Sequence, residues 1–262
     1  MVAGWDRGRW LALLAFCLVL AAACGAAGAW QLDRYAEKRQ ANADLRANAE
    51  RPPVPVGEVL AVGRAADQAV RFRRVTASGE YDEGGQVLVR QRQVSGRVGF
   101  LVVTPLRTRA GVLLVVRGFA PATGAATDTP RVPAPPAGTV EVTGRAFPSE
   151  AGRSRPGLPA GQVDRIDVRA IAGRLGTPAY GGYAELISSV PADAGLAQTP
   201  APDLSNPAGG AGEGQHLAYV VQWFFFALLA LAGPVLLPGL DRRAAQGESA
   251  SEIPATEPQP AA

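Results

Sequence analysis

The chain has 262 residues, a formal net charge of +3, and only one histidine, two cysteines and one methionine. Its basic residues are interspersed with acidic ones and do not alternate with aromatic residues, which argues against nucleic-acid binding. So few imidazole and sulfur ligands cannot build a zinc site or a copper-chaperone site in an aqueous domain. No nucleophile elbow accompanies the histidine, so the sequence predicts a protein that is not an enzyme.

The N-terminal region predicts a membrane helix. Residues 10–30 form a run of 21 residues without a charge, and a helix of that length crosses a hydrocarbon core of about 30 Å. Two alternatives to an uncleaved anchor remain open. Ala27 and Ala29 offer a cleavage site for a signal peptide, and the sequence LAAAC at residues 20–24 partly resembles a lipoprotein processing box.

The same helix is expected to continue beyond the membrane. Residues 31–50 are rich in Ala, Arg, Glu and Leu, which favours a helix through Gln40 or further. Within the span, Cys17 and Cys24 lie on one face and are expected to pack against a partner helix. Two helical turns separate them by about 10 Å, so a disulfide between them is excluded.

Residues 31–215 predict one domain built mainly of strands, between that helix and a second one. Six short segments are apolar, β-branched or alternating, and Gly or Pro separates them. They are residues 73–81, 86–92, 99–105, 111–118, 139–146 and 183–188. A single short helix is expected from the capping residue Asp167 through Leu175, ending at Gly176. The predicted fold class is therefore α+β, mostly β, flanked by two transmembrane helices.

Three segments are predicted to be mobile. Residues 122–138 and 192–214 are dominated by Pro, Ala, Gly, Thr and Ser, and residues 241–262 are predicted to form a disordered tail. Such compositions bury too little apolar surface to offset the entropy lost on ordering.

A second span is predicted over residues 217–240, which are also free of charge. Two spans place both ends of the chain on the same side of the membrane. Arg242 and Arg243 follow the second span, and residues 1–9 form a short basic leader, which together indicate a cytoplasmic location for both ends. The basic residues after the first span favour the opposite orientation. We predict a cell-membrane protein whose domain 31–215 is extracytoplasmic.

The single histidine stands at the beginning of the second span. On a helix, His216, Tyr219 and Trp223 lie along one stripe. At the same depth, Trp30 and Arg34 share a face of the first helix together with Lys38. Two interpretations follow: an aromatic belt with a fringe of cations at the membrane surface, or a haem cleft. In the cleft, the imidazole is the axial ligand, the aromatic rings flank the macrocycle, and Arg34 or Lys38 faces the propionates.

Five segments together resemble the Surfeit locus protein 1 family. They are WQLDRYAEK at 30–38, FRRVTASGEY at 72–81, TPLRTRAGVLLVVRGFAP at 104–121, VEVTG at 140–144 and HLAYVVQW at 216–223. The resemblance implies a membrane-bound assembly factor for haem-copper cytochrome c oxidase that assists the insertion of haem a into the catalytic subunit. It also implies that haem a is bound, with His216 as the iron ligand. The implied partners are the oxidase catalytic subunit, other oxidase assembly factors and membrane lipid.

Some positions depart from the family pattern. The family has a Trp after its Arg-Gly pair, where this chain has Phe119 after Arg117 and Gly118, and an Asn where this chain has Gln215. We interpret Gly118 as a turn or bulge at the end of a strand and Arg117 as a surface residue. Two alternative functions remain: an envelope interaction module without a cofactor, and a cleft that binds lipid or quinone.

Overall fold

The computed structural model describes residues 7–124, 129–152 and 154–251, with side chains as far as Leu236. The described residues form three α-helices and eight strands. The helices are α1 (Arg7–Glu50), α2 (Val168–Leu175) and α3 (Glu213–Ser251). The strands are β1 (Val54–Pro55), β2 (Arg74–Tyr81), β3 (Val87–Val94), β4 (Arg97–Arg107), β5 (Val112–Pro121), β6 (Thr139–Pro148), β7 (Gln162–Val163) and β8 (Ala179–Val190). The predicted α+β class is confirmed.

The chain divides into two compact units. One comprises Met1–Arg39 with Gly209–Ala262, and the other comprises Gln40–Ala208. Both long helices include a stretch that is long and apolar enough to cross a membrane. The continuation of the first helix past Gln40 is confirmed, since α1 ends at Glu50. The second helix extends to Ser251, beyond the predicted end of the span, because residues 241–251 are rich in helix-forming Ala, Arg, Gln and Glu. The rest of the predicted tail, residues 252–262, lies outside the described residues.

All eight strands belong to one mixed sheet in the order β1, β2, β6, β8, β5, β4, β3, β7. An additional pairing of β2 with β4 joins Glu80 to Arg107 and Tyr81 to Leu106. This pairing closes β2, β6, β8, β5 and β4 into a ring. The two ladders of β5 have opposite senses, since it pairs antiparallel with β4 and parallel with β8.

Two large apolar clusters pack on the two faces of the ring strands. The first receives side chains from all five ring strands, among them Val75, Leu106 and Val142, and fills the inside of the ring. The second lies on the other face of β3, β4, β5 and β8, where Ile171 of α2 covers it. The alternation of side chains along a strand explains how β5 serves both clusters. Its consecutive residues Val112 to Val116 are all buried.

Helix α2 begins and ends where the sequence predicts. The side chain of Asp167 accepts a hydrogen bond from the backbone N–H of Ala170 at 3.0 Å, which caps the first turn. At the other end, Gly176 adopts φ +63°, the left-handed conformation that glycine takes without strain. The predicted helix from Asp167 to Gly176 is therefore confirmed.

Candidate functional site

The candidate site lies in the unit formed by Met1–Arg39 with Gly209–Ala262. In this unit α1 and α3 pack antiparallel. The ring of Phe224 lies 3.1 Å from the point where a Cβ on Gly28 would stand, and Cys17 of α1 lies 3.7 Å from the corresponding point on Gly233. Moving toward the N-terminus of α1 therefore means moving toward the C-terminus of α3. The buried stripe of α1 consists of small residues, which allow two helices to approach closely. It includes Cys17, Ala21 and Cys24.

Both cysteines lie on the face of α1 that packs against the partner helix, as the sequence predicts. Cys17 and Cys24 are buried and unpaired as thiols. Their spacing matches the period of the stripe that faces α3, so they serve as small apolar side chains of the helix pair.

His216 lies in the first turn of α3 and is hydrogen-bonded to a side chain of the facing helix, α1. Its Nδ1 lies 3.1 Å from the amide oxygen of Gln31. In the tautomer that carries the hydrogen on Nδ1, this nitrogen donates to the amide oxygen and Nε2 has the lone pair. An amide that holds one ring nitrogen in this way orients the imidazole and selects its tautomer.

The other residues of the α3 stripe are arranged around the helix interface. Val220, one turn after His216, is buried, and Trp223 is half-buried. Tyr219 is 42% exposed, so its ring lies at the edge of the interface. The ring of Trp223 meets that of Phe226 edge-on at a centroid distance of 6.1 Å.

The α1 residues predicted for the site lie on two sides of that helix. Trp30 is 59% exposed, and Arg34 forms an ion pair with Glu37 at 2.6 Å. Lys38 is half-buried and donates to the backbone carbonyl of Gly209. Among the described residues, no hydrogen bond or ring contact joins Trp30 or Arg34 to His216.

Gln31 is a site residue that the sequence pattern did not single out. It lies three residues after Gly28 and seven after Cys24, so it continues the stripe of small residues that faces α3. A polar side chain in register with an apolar helix interface is the signal that identifies it. The spacing of aromatic and basic residues pointed instead to the neighbouring Trp30.

The prediction that Arg117 is a surface residue is wrong. Its side chain is fully buried, and its Nε and Nη2 donate to the two carboxylate oxygens of Asp193 at 2.5 and 2.7 Å. Its Nη1 donates to Gln86 at 3.2 Å and to the carbonyl of Pro133 at 3.1 Å. The hydroxyl of Thr104 donates to the same Gln86 oxygen at 2.8 Å. Arg117 is therefore the centre of a buried polar network in the β domain.

A β-bulge explains why an arginine is buried here. Val102 of β4 pairs with Gly118, whereas the next residue, Val103, pairs with Val116. Arg117 is thus the extra residue of the bulge, which changes the direction of its side chain relative to simple alternation. The predicted bulge at Gly118 is confirmed, although it lies within β5 rather than at its end. A Cβ on Gly118 would lie 2.7 Å from the carbonyl oxygen of Ala197, so this position needs glycine.

The protein therefore belongs to the class of proteins that have one long apolar helix near each end of the chain and a mixed β domain between them in the sequence. A profile of the SURF1 family matches residues 18–228. The chain belongs to the SURF1 family, the Surfeit locus protein 1 family, which is known for cytochrome oxidase assembly.

Mycobacterial relatives match over nearly their whole length. The chain is 32% identical over 261 residues to uncharacterised SURF1-like proteins of Mycobacterium bovis and Mycobacterium tuberculosis. Each alignment covers 96% of this chain and 92% of the relative. The similarity thus includes both long helices and the β domain between them.

Proposed function

We propose that this protein is a membrane-bound assembly factor for haem-copper cytochrome c oxidase and assists the insertion of haem a into the catalytic subunit. Family membership supports the oxidase role. The observation that carries the haem role is the bond of His216 Nδ1 to Gln31 across the helix pair. This hydrogen bond leaves Nε2, the other ring nitrogen of the chain's only histidine, available as a metal ligand.

The residues present fit a haem group. Haem iron is commonly held by a neutral imidazole whose other nitrogen is bonded to a second residue. Nδ1 of His216 has such a hydrogen-bonding partner in Gln31, at 3.1 Å. Nε2 of His216 would hold the iron of a bound haem.

The remaining residues of the proposed site bind the periphery of the macrocycle. Tyr219 and Trp223 follow His216 along α3, and Trp30 is an exposed ring on α1, so flat apolar surfaces are available beside a planar ligand. Arg34 is paired with Glu37 at an exposed position. An exposed pair contributes little to stability, so its guanidinium can exchange that partner for a propionate.

The proposal also includes the partners and the location. We place the β domain outside the cytoplasm at the cell membrane and propose contact with the oxidase catalytic subunit and other assembly factors. Two helices long enough to span a membrane support this arrangement. A scaffold module without cofactor is the alternative function, and haem content separates the two.

The decisive experiment compares membranes of a strain lacking this chain with the same strain complemented by the wild type or by His216→Ala. We expect the reduced-minus-oxidised spectrum of the deletion strain to lose most of its haem a signal and to keep its b- and c-type signals. Purified His216→Ala protein should lose its haem, because its only imidazole ligand is removed. Gln31→Leu should retain less haem than the wild type, since it releases the ring orientation.

Gln222→Ala is the matched control, because Gln222 is a polar residue on an exposed part of α3. It should keep the wild-type haem content and restore the haem a signal. Unchanged haem in a folded His216→Ala protein would refute the ligand assignment. An unchanged haem a signal in the deletion strain would refute the oxidase role and favour the scaffold module.

A further inference from the structure

Two arginines face each other across neighbouring strands on the outside of the β ring. Arg74 of β2 and Arg145 of β6 are direct partners in the antiparallel ladder. Residues directly opposite share a face of the sheet, and like charges in this position repel. The hydrogen bonding of β2 with β6 does not itself require two cations here. A nearby anion would reduce the repulsion between the two arginines.

The protein itself supplies one carboxylate for this pair of arginines. Glu185 of β8 is the ladder partner of Arg145, and its Oε2 lies 4.0 Å from Arg145 Nη1, beyond hydrogen-bond distance. Within the described part of the chain, buried Nη1 of Arg145 and buried Nε of Arg74 have no hydrogen-bond partner. A buried guanidinium donor without an acceptor is costly, because it has given up its bonds to water.

A third arginine, Arg71, lies close enough to Glu185 for its charge to act on that carboxyl. Arg71 lies over the ring of Phe72 at 5.0 Å, and Phe72 meets Phe147 edge-on with centroids 5.4 Å apart. Phe147 stacks in turn on Tyr183 at 5.4 Å. These rings form an apolar wall next to Arg145 and Glu185, since Phe147 and Tyr183 are their neighbours along β6 and β8. Such a wall lowers the local dielectric and strengthens charge interactions.

The other charged groups near Glu185 do not cancel the excess of positive charge. Arg92 is paired with Glu150 at 2.6 Å, so these two charges balance each other. Burial raises the pKa of the Glu185 carboxyl, and the charges of Arg145, Arg92 and Arg71 oppose that shift, whereas the charge of Glu150 adds to it. Arg71 and Arg145 therefore share a single partly buried carboxylate, and Arg74 lies opposite Arg145.

We propose that Arg71, Arg74 and Arg145 form a binding site for a phosphoryl group on the outer face of β2 and β6. A phosphoryl group carries a charge near −2 and several acceptor oxygens, which match the planar donor forks of guanidinium groups. Arg74 Nε and Arg145 Nη1 are buried without partners, so these two side chains would turn toward the group to donate to it. The group can come from a soluble phosphate ester or from a lipid headgroup. The site is independent of the proposed haem site.

The first test titrates inorganic phosphate into the full chain in dodecyl maltoside and follows thermal unfolding, with sodium chloride at equal ionic strength as reference. We expect stabilisation that is specific to phosphate. Arg74→Gln and Arg145→Gln should each weaken phosphate binding by about tenfold or more, as expected for the loss of a charge-assisted hydrogen bond. Arg97→Gln removes the same charge from an exposed position at the start of β4 and should change nothing.

A second variant keeps the test decisive if the arginine variants unfold. Glu185→Gln removes the negative charge that competes with the anion and should bind phosphate more tightly than the wild type. Unchanged or weaker binding in Glu185→Gln would overturn the site, as would the absence of a phosphate effect in the wild type. An equal loss of binding in Arg97→Gln would also overturn it, because the effect would then reflect net charge.

Two further comparisons identify the source of the phosphoryl group and the independence of the site. The titration is repeated in nanodiscs of phosphatidylcholine and of phosphatidylglycerol. A phosphate effect that disappears only in phosphatidylglycerol supports the site with a lipid headgroup as ligand, and one that persists in both supports it with a soluble ligand. His216→Ala should keep the phosphate effect, so failure of the haem proposal leaves this result unchanged.

Discussion

At the scale of single residues, Arg117 and Asp193 form an ion pair that is buried inside the β domain. The side chains are 0% and 2% exposed and share two hydrogen bonds. Removing two charges from water is expensive, and the mutual attraction offsets that penalty only when geometry and further bonds are good. The additional donations to Gln86 and Pro133 meet this condition. The pair therefore fastens residue 193, which follows β8, to the bulge of β5.

Removing the charge of one partner should lower the stability of the β domain more than replacing both partners. We expect Asp193→Asn to destabilise the β domain by about 3–5 kcal/mol, because it leaves the guanidinium buried without its counter-charge. The double variant Arg117→Met with Asp193→Leu should be less destabilised than Asp193→Asn. Thermal or urea unfolding of the purified protein measures the difference.

A surface ion pair provides the control for that experiment. Arg107 and Asp82 are joined at 2.6 Å, but the arginine side chain is about half exposed. Replacement of Arg107 by Gln should have a much smaller effect than Asp193→Asn, as measured for most exposed pairs. Equal effects of the two substitutions would contradict the central role of the buried network.

At the scale of the element, the boundaries of short structures follow from local signals. Helix α2 begins after its capping residue Asp167 and ends at Gly176 with positive φ. The six predicted strand segments correspond to β2, β3, β4, β5, β6 and β8, with ends that differ by a few residues. Caps, glycine conformations and hydrophobic alternation act within a few residues, so the sequence alone reveals them.

The closure of the ring is an element-scale feature that depends on one glycine. A Cβ on Gly79 of β2 would collide with the backbone carbonyl of Arg107 of β4, next to the residue pairs that close the ring. Backbone atoms cannot move aside as a flexible side chain can. The close approach of β2 and β4 therefore requires glycine at position 79.

Gly79→Ala should destabilise the β domain by about 1–3 kcal/mol, the usual penalty for overpacking. Gly57→Ala is the control, since a Cβ there would meet nothing within 4 Å. Urea unfolding should show a lowered midpoint for Gly79→Ala and an unchanged one for Gly57→Ala. A neutral effect of Gly79→Ala would mean that β2 and β4 can separate without loss of stability.

At the scale of the whole molecule, the orientation in the membrane stays a prediction with a direct test. The only cysteines, Cys17 and Cys24, are buried between α1 and α3, so a membrane-impermeant maleimide should not label the wild type. Ser95→Cys, in the hairpin between β3 and β4, should be labelled in intact spheroplasts if the domain is extracytoplasmic. Gly8→Cys, near the start of α1, should be labelled only after lysis. The reverse pattern would place the β domain in the cytoplasm.

The sequence by itself determined the two apolar helices, the short helix α2 and most strands, because each depends on residues that are neighbours along the chain. It also indicated His216 as the one residue able to hold a metal by imidazole. Only the tertiary structure decided which groups meet. Gln31 and His216 are 185 residues apart, and Arg117 and Asp193 are 76 residues apart. Such pairs, like the closure of β2 on β4, arise from packing between distant segments, and no local pattern records a distant partner.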